Sequence, residues 1–492
     1  MVRSWIAYSA NSLPFIRIMV KVKKHLFIVF ALTWLLSLYG CTDSNTIKEV
    51  RLGLYNNNEL KIKLDVVTGR EANVFAEYWL KGNNGPKFLS VGRYKATGHQ
   101  LVLTNILPDT TYNYHIVSVT NGDTVISKNY TFKSHALPLF LQEQFKAKTA
   151  ANTQLPPEFG NGLMLINKRY APGVAYLVDA RGRIRWYHMI DRLGFKVIRF
   201  TGDKTLISIL GRNDEPTSYG SEILELNLLG DTLLHLKKGQ GDFKQTIHHE
   251  ILKNSKGQLV TIFVDKRPMD LSAIGGSKTD TVSGDGILVM DKTGRQIKRW
   301  SVFDVTDPKK DPKILKTKKD WMHANSLSYD KDGNYLLSFF NNGQIWKIDQ
   351  NTGKVIYKFG RGGTIAMPAN CSFTQAHAAH INQHGDLMFF DNGTEKHQSG
   401  VYAIKINEQA QSAAVTSHLI LPREIFNGRM GSAYLINDTS TLVCCSKRHI
   451  IVLADEQGHL QWTMETSVPT YRAEFIKYSN LDPYLKPLTH HE

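Results

Sequence analysis

The chain has 492 residues, of which 42% are hydrophobic, 21% are charged and four are cysteine. That length exceeds one ordinary domain and can bury a large core, while the composition excludes a disordered chain, a collagen and a coiled coil. Lys and Arg number 60 against 44 Asp and Glu, a net charge of +16, yet no basic run or RNA-binding motif points to nucleic acid. The cysteines are too few for a disulfide scaffold, and no C-x-x-C pair suggests a structural zinc site.

Val20-Lys21-Val22-Lys23-Lys24 forms a basic n-region, and Leu26 to Gly40 is an apolar run of fifteen residues. A spanning helix needs about 20 residues, so this run fits a signal h-region instead. Met19 opens a more ordinary signal than Met1. Leu38-Tyr39-Gly40-Cys41, followed by Thr42-Asp43-Ser44-Asn45, resembles a bacterial lipobox. The expectation is a signal over residues 1–41, lipidation at Cys41, and an exported protein anchored in the bacterial envelope, facing the periplasm or the cell surface. Residues 1–40 hold five basic and no acidic residues, which leaves the rest at +11. That excess suits a small anionic substrate or an anionic surface.

Residues 42–135 read as strands. Leu60-Lys61-Ile62-Lys63-Leu64-Asp65-Val66 alternates with period two, and Val74-Phe75-Ala76-Glu77-Tyr78-Trp79 is a second candidate. Leu107-Pro108-Asp109-Thr110-Thr111-Tyr112 turns into a further alternation. A Leu-Pro turn feeding a Tyr-initiated strand is similar to the corner of fibronectin-type sandwiches, so an immunoglobulin-like β-sandwich serving as a spacer is expected. Residues 136–160, with three prolines, read as a linker.

Residues 161–475 repeat. An apolar run ends in Asp or Asn with Gly soon after, as in Tyr176-Leu177-Val178-Asp179-Ala180-Arg181-Gly182 and Leu288-Val289-Met290-Asp291-Lys292-Thr293-Gly294. The anchor positions are Asp179, Asn227, Asp291, Asp349, Asn407 and Asp455, and Trp186, Trp300 and Trp462 follow three of them. Another apolar strand precedes each copy. Six units at a spacing near 50, several strands each, predict an all-β fold with a six-bladed β-propeller. Residues 476–492 read as a C-terminal tail.

Three consecutive units carry a histidine at one phase. His249 and His377 each lie eight residues before a hairpin glycine (Gly257 and Gly385), and His323 lies ten before Gly333. This phase falls on the strand nearest the axis, so three imidazoles should converge at the channel mouth. His248 is one residue out of phase and reads as support. Such a cluster suits a metal site, or nucleophilic catalysis by an imidazole with the others as acid and electrostatic partners.

The surrounding words decide between these. Asp320-Trp321-Met322-His323-Ala324-Asn325-Ser326 resembles the H-x-N-S motif of bacterial arylsulfate sulfotransferases that do not use phosphoadenosine phosphosulfate. Gln375-Ala376-His377, with Phe390-Asp391-Asn392-Gly393 beyond, resembles their Q-x-H … F-D-N-G segment, and Ile247-His248-His249-Glu250 resembles their H-H-D/E segment. The resemblance implies transfer of a sulfuryl group from an aryl sulfate donor to a phenol acceptor, in ping-pong fashion. His377 would be the nucleophile that becomes sulfohistidine. His249 and His323 would protonate the leaving oxygen or hold the sulfuryl oxygens, with Asn325 and His248 assisting. It implies no cofactor or metal. Apart from the resemblance, the chain is expected to have no nucleic-acid partner, to attach to the membrane through lipidated Cys41, and to be compatible with a homodimer.

One departure stands out. The family carries an Arg in the strand after H-x-N-S, where this chain reads Leu337-Ser338-Phe339-Phe340-Asn341-Asn342. Asn341 is the polar residue left there for the substrate; Arg448 and Lys266 are candidates for the missing cation, although solvated surface charge is the simpler reading of both. The alternative reading is therefore a weakened propeller that binds sulfated or phenolic ligands without turning them over. A disulfide near the nucleophile, common in the family, would have to join Cys371 to Cys444 or Cys445; packing is the simpler reading of all three.

Overall fold

The computed structural model describes residues 45–485 except 83, 84, 93, 482 and 483. The signal segment and Cys41 lie outside the described residues.

The repeat begins as local turn chemistry. In each Asp copy the side chain folds over the hairpin: Asp179 Oδ1 accepts the N–H groups of Arg181 and Arg183 at 3.0 Å, and Asp291 and Asp455 do the same two and four residues on. The following glycine takes a positive φ (77° at Gly182, 84° at Gly294, 88° at Gly458), where a Cβ is unfavourable. The tryptophan after the turn then reaches sideways. The Nε1–H groups of Trp186, Trp300 and Trp462 donate to the backbone carbonyls of Leu228, Gly353 and Ala180, each in the turn of the next blade, at 2.7–2.8 Å. One repeated motif thus makes the hairpin and fastens it to its neighbour.

Six sheets of four or five antiparallel strands result. Blades two, four and five are consecutive in sequence, with Gly194–Phe200, Ala324–Tyr329 and Ala376–Ile381 as their first strands. Blade three adds the short strand Tyr219–Gly220 beside Ile247–Lys253. The ring closes with strands from both ends. Glu474–Lys477 pairs with Gly162–Lys168 as the first strand of blade one. Phe145–Thr149, within the stretch read as a linker, pairs with Leu460–Thr466 as the fifth strand of blade six. Within the stretch read as a tail, the described residues Leu481 and Leu485 are buried against the propeller.

Blades one and two meet closely. A Cβ built on Gly194 would lie 1.8 Å from the carbonyl oxygen of Arg169, a backbone atom that cannot yield. Gly194→Ala should therefore cost about 3 kcal/mol, the upper range for overpacking. Thermal unfolding checks this; an unchanged melting temperature would show that the strands can part.

The N-terminal strands differ from two separate sheets. The 23-residue strand Asn58–Leu80 contains both strands foreseen there. It pairs with Ile47–Tyr55 along its first part and with Thr111–Thr120 along its second, linking seven strands into one hydrogen-bonded sheet. Ile62, Leu64, Val66, Val74, Ala76 and Tyr78 supply the core from alternate positions. The Tyr112 hydroxyl accepts the Leu107 N–H at 2.9 Å, the tyrosine-corner bond expected after Leu107-Pro108. This unit seats on the propeller through Asn58 to the Tyr187 carbonyl, Tyr55 to Asp231 and Lys61 to the Leu229 carbonyl.

Candidate active site

A cavity of about 1240 Å³ opens where the blades converge, and His249, His323 and His377 all line it. Their strands share a defect. The pairing of the first with the second strand slips between His248 and Ile251 in blade three, between Ala324 and Ser326 in blade four, and between His377 and His380 in blade five. Such bulges re-aim side chains. The backbone turns into the left-handed region at His249 (φ 61°), His323 (φ 56°) and Ala378 (φ 53°). Sparsely populated conformations of this kind persist where the surroundings enforce them.

The imidazoles are held differently. His377 Nδ1 lies 3.0 Å from the Gly431 carbonyl, so it must carry the proton and donate. Its Nε2 is then the lone-pair nitrogen, 3.4 Å from the Tyr471 hydroxyl. Burial pushes the pKa of His377 well below the ordinary imidazole value, and the Arg472 charge pushes the same way. His249 is likewise held neutral, first by burial and then by the neighbouring imidazoles. Its ring meets that of His323 edge-on, with centroids 4.9 Å apart. At His323, burial opposes the charged form, but the hydrogen bond from Nδ1 to Asp320 (2.7 Å) and that carboxylate's charge outweigh it and raise the pKa. One site therefore holds one imidazole biased toward the neutral form and one biased toward the cationic form.

The other expected residues fall in several places. Asn341 lines the cavity, its side-chain amide donating to the Asp320 carbonyl at 2.8 Å. Phe340 also lines it and packs edge-on to His323, so neither residue at the place of the family Arg supplies a cation. Asn325 is fully buried, donating to the Ala376 carbonyl (2.9 Å) and accepting from Ser338. Both ends of its amide are spent joining blade four to the strand of His377, so it positions and does not face the substrate. His248 stands behind the wall, with Nδ1 2.7 Å from His249 Nδ1, Nε2 3.3 Å from Asp285, and its ring stacked on Tyr219. Arg448 does not line the cavity; it is exposed and donates to the Glu424 carbonyl. Lys266 lines it but is exposed. Cys371, Cys444 and Cys445 are buried free thiols in three different core clusters.

Among the described residues, the one group of three or more His, Cys, Asp or Glu whose ligand atoms lie within 4.8 Å of one another is Asp330, Asp332 and Glu408. Lys347 occupies it, 2.8 Å from Asp330 and 2.7 Å from Asp332. The imidazole cluster does not form such a set. Glu250, adjacent to His249, instead pairs with Arg472 beneath the cavity and lies 3.6 Å from Arg199, which reaches Glu474 at 3.2 Å.

Tyr471 and Arg169 were not foreseen. Tyr471 lies well after the last anchor, Asp455, and Arg169 follows the strand Gly162–Lys168 of blade one, and neither sits in a motif.

Fold and site together define a six-bladed propeller with an imidazole-lined axial cavity. A family model described as arylsulfotransferase (ASST) matches residues 148–419, more than half of the chain, and the chain belongs to that family. No curated protein matches it. Solved structures with some likeness include a protein of unknown function from Bacteroides caccae, at 11% identity and TM-score 0.42, covering 64% of this chain and 99% of that one. Another is a streptogramin B lyase, at 12% and 0.36, covering 65% and 86%. A third is virginiamycin B lyase from Staphylococcus aureus, at 9% and 0.32, covering 66% and 99%. Likeness this remote says nothing about chemistry.

Proposed function

We propose that this protein transfers a sulfuryl group from an aryl sulfate ester to a phenol through a covalent intermediate on His377. The observation that carries this reading is the opposed bias of two imidazoles on one cavity: His377 held toward the neutral form with Nε2 as its lone-pair nitrogen, His323 held toward the cationic form by Asp320. A nucleophile and an acid are the pair such a transfer requires.

In the first half-reaction His377 Nε2 forms a bond to sulfur as the S–O(aryl) bond breaks. The departing oxygen takes the proton of His323 Nε2 and leaves as a phenol. His323 keeps its Nδ1–H on Asp320. In the second half-reaction an acceptor phenol gives its proton to His323 Nε2 and its oxygen attacks sulfur. The N–S bond breaks, and both histidines return to their starting forms. His249 is placed to hydrogen-bond a sulfuryl oxygen, where charge shifts in the transition state.

A second reading, a binding module for sulfated or phenolic ligands, is favoured by Phe340 and Asn341 standing where the family has Arg. The test is release of a chromogenic phenol from its sulfate ester with and without an added phenol. Acceptor-dependent release supports transfer; binding of the ester without release across several donors supports the module. We also propose an anchor at Cys41, from the lipobox. Cys41→Ser should then release the protein from membranes, and unchanged membrane association would overturn the anchor.

A further inference from the structure

Arg169 is 1% exposed and lines the same cavity as the three histidines. Its surroundings are unusual for a buried guanidinium. Nη1 makes a 3.0 Å contact to the Met430 thioether, a weak acceptor, and Nε has no hydrogen-bond partner. Among the described residues no carboxylate pairs with it. Burial accordingly lowers its pKa, though not enough to discharge a guanidinium. A desolvated cation without a counter-charge costs stability unless something else supplies that charge.

The other cations on the wall are placed differently. Arg299 is paired with Asp265 at 2.7 Å, and the arginine and lysines that remain, Arg429, Lys238, Lys244, Lys266, Lys319 and Lys447, are exposed. Arg472 is buried but committed to Glu250 and does not line the cavity. Arg169 alone among the cavity-lining cations is both buried and uncompensated.

Its position ties it to the nucleophile. Met430 precedes Gly431, whose carbonyl orients His377. Tyr471, which touches His377 Nε2, feels the Arg169 charge. We infer that Arg169, entering from blade one, holds the anionic sulfuryl oxygens of the donor in place of the cation that Phe340 and Asn341 do not supply. A guanidinium fork can donate two parallel hydrogen bonds to two oxygens of a tetrahedral anion. This assignment rests on the proposed activity for the identity of the anion, but the anion-binding role can be tested without turnover.

The experiment compares the full-length His377→Ala protein with His377→Ala/Arg169→Met, titrating 4-nitrophenyl sulfate, inorganic sulfate and 4-nitrophenol. Both sulfates should bind about tenfold to a hundredfold more weakly when Arg169 is removed, and 4-nitrophenol should be unaffected. The Arg169→Met protein should melt at the same temperature or higher, because an uncompensated buried cation is gone. A merely structural arginine would instead lower the melting temperature and leave binding alone. Unchanged sulfate binding, or no sulfate binding to either protein, would overturn the assignment. Should Arg169→Met not fold, Arg169→Lys, which keeps the charge and loses the fork, should still weaken both sulfates; unchanged binding there would equally overturn it. Turnover separates the two readings. Sulfate binding lost with Arg169, in a protein that never transfers sulfuryl groups, would sink the activity and keep the assignment. Transfer with an unchanged donor KM in Arg169→Met would do the reverse.

Discussion

His377→Ala should abolish acceptor-dependent phenol release, with kcat falling by about a thousandfold or more. The wild-type protein, given donor without acceptor and quenched rapidly, should gain the mass of one sulfuryl group on His377. Two constraints suit this residue to the proposed nucleophilic role. The Gly431 carbonyl fixes the proton on Nδ1, which leaves the Nε2 lone pair as the attacking group. Burial and the Arg472 charge keep the ring neutral, so it attacks without first losing a proton. The sign for pH follows. Protonation of His377 ends its nucleophilicity, and its folded pKa is lowered, so the acid limb of kcat/KM should lie well below the ordinary imidazole value of about 6.5. An adduct on another residue, or full activity in His377→Ala, would remove the covalent role from this site.

Asp320→Asn should lower kcat by about a hundredfold, within the range for losing general acid catalysis, and should shift the pH profile. Asp320 favours the cationic form of His323: the hydrogen bond at 2.7 Å and the carboxylate charge raise its pKa against the effect of burial. With the charge removed, His323 deprotonates at lower pH. The basic limb of kcat/KM should therefore move toward lower pH, while the acid limb, set by His377, should stay. A lower rate at every pH with both limbs unmoved would mean that Asp320 only shapes the loop. A donor with a far better leaving group should lose less activity, because its oxygen needs less help from an acid.

Much of the site was legible because its signals are local. The three histidines share a phase relative to Gly257, Gly333 and Gly385, and a hairpin fixes phase regardless of what surrounds it. The phase could not say which histidine faces what. His248 and His249 are neighbours, and a bulge between His248 and Ile251, with a left-handed backbone at His249, sends one to the cavity and the other behind it. Asn325 belongs to a motif and reads as a substrate donor. Only packing shows its amide already spent on Ala376 and Ser338. Arg448 is at a comparable point of blade six, yet its side chain turns outward to Glu424.

By itself the sequence determined the repeated unit and its count, since Asp-capped turns, glycines with positive φ and period-two strands act within a few residues of chain. It also determined that blades three, four and five carry the imidazoles. Only the tertiary structure decided how the ring closes, with Phe145–Thr149 completing blade six and Glu474–Lys477 completing blade one. It alone brought Tyr471, Arg169 and the Gly431 carbonyl around His377, from positions 54 to 208 residues away. Closing a ring joins the two ends of the chain, and no local propensity records that. The protonation of each imidazole was decided at the same level, because burial and a neighbouring charge exist only once the blades have packed.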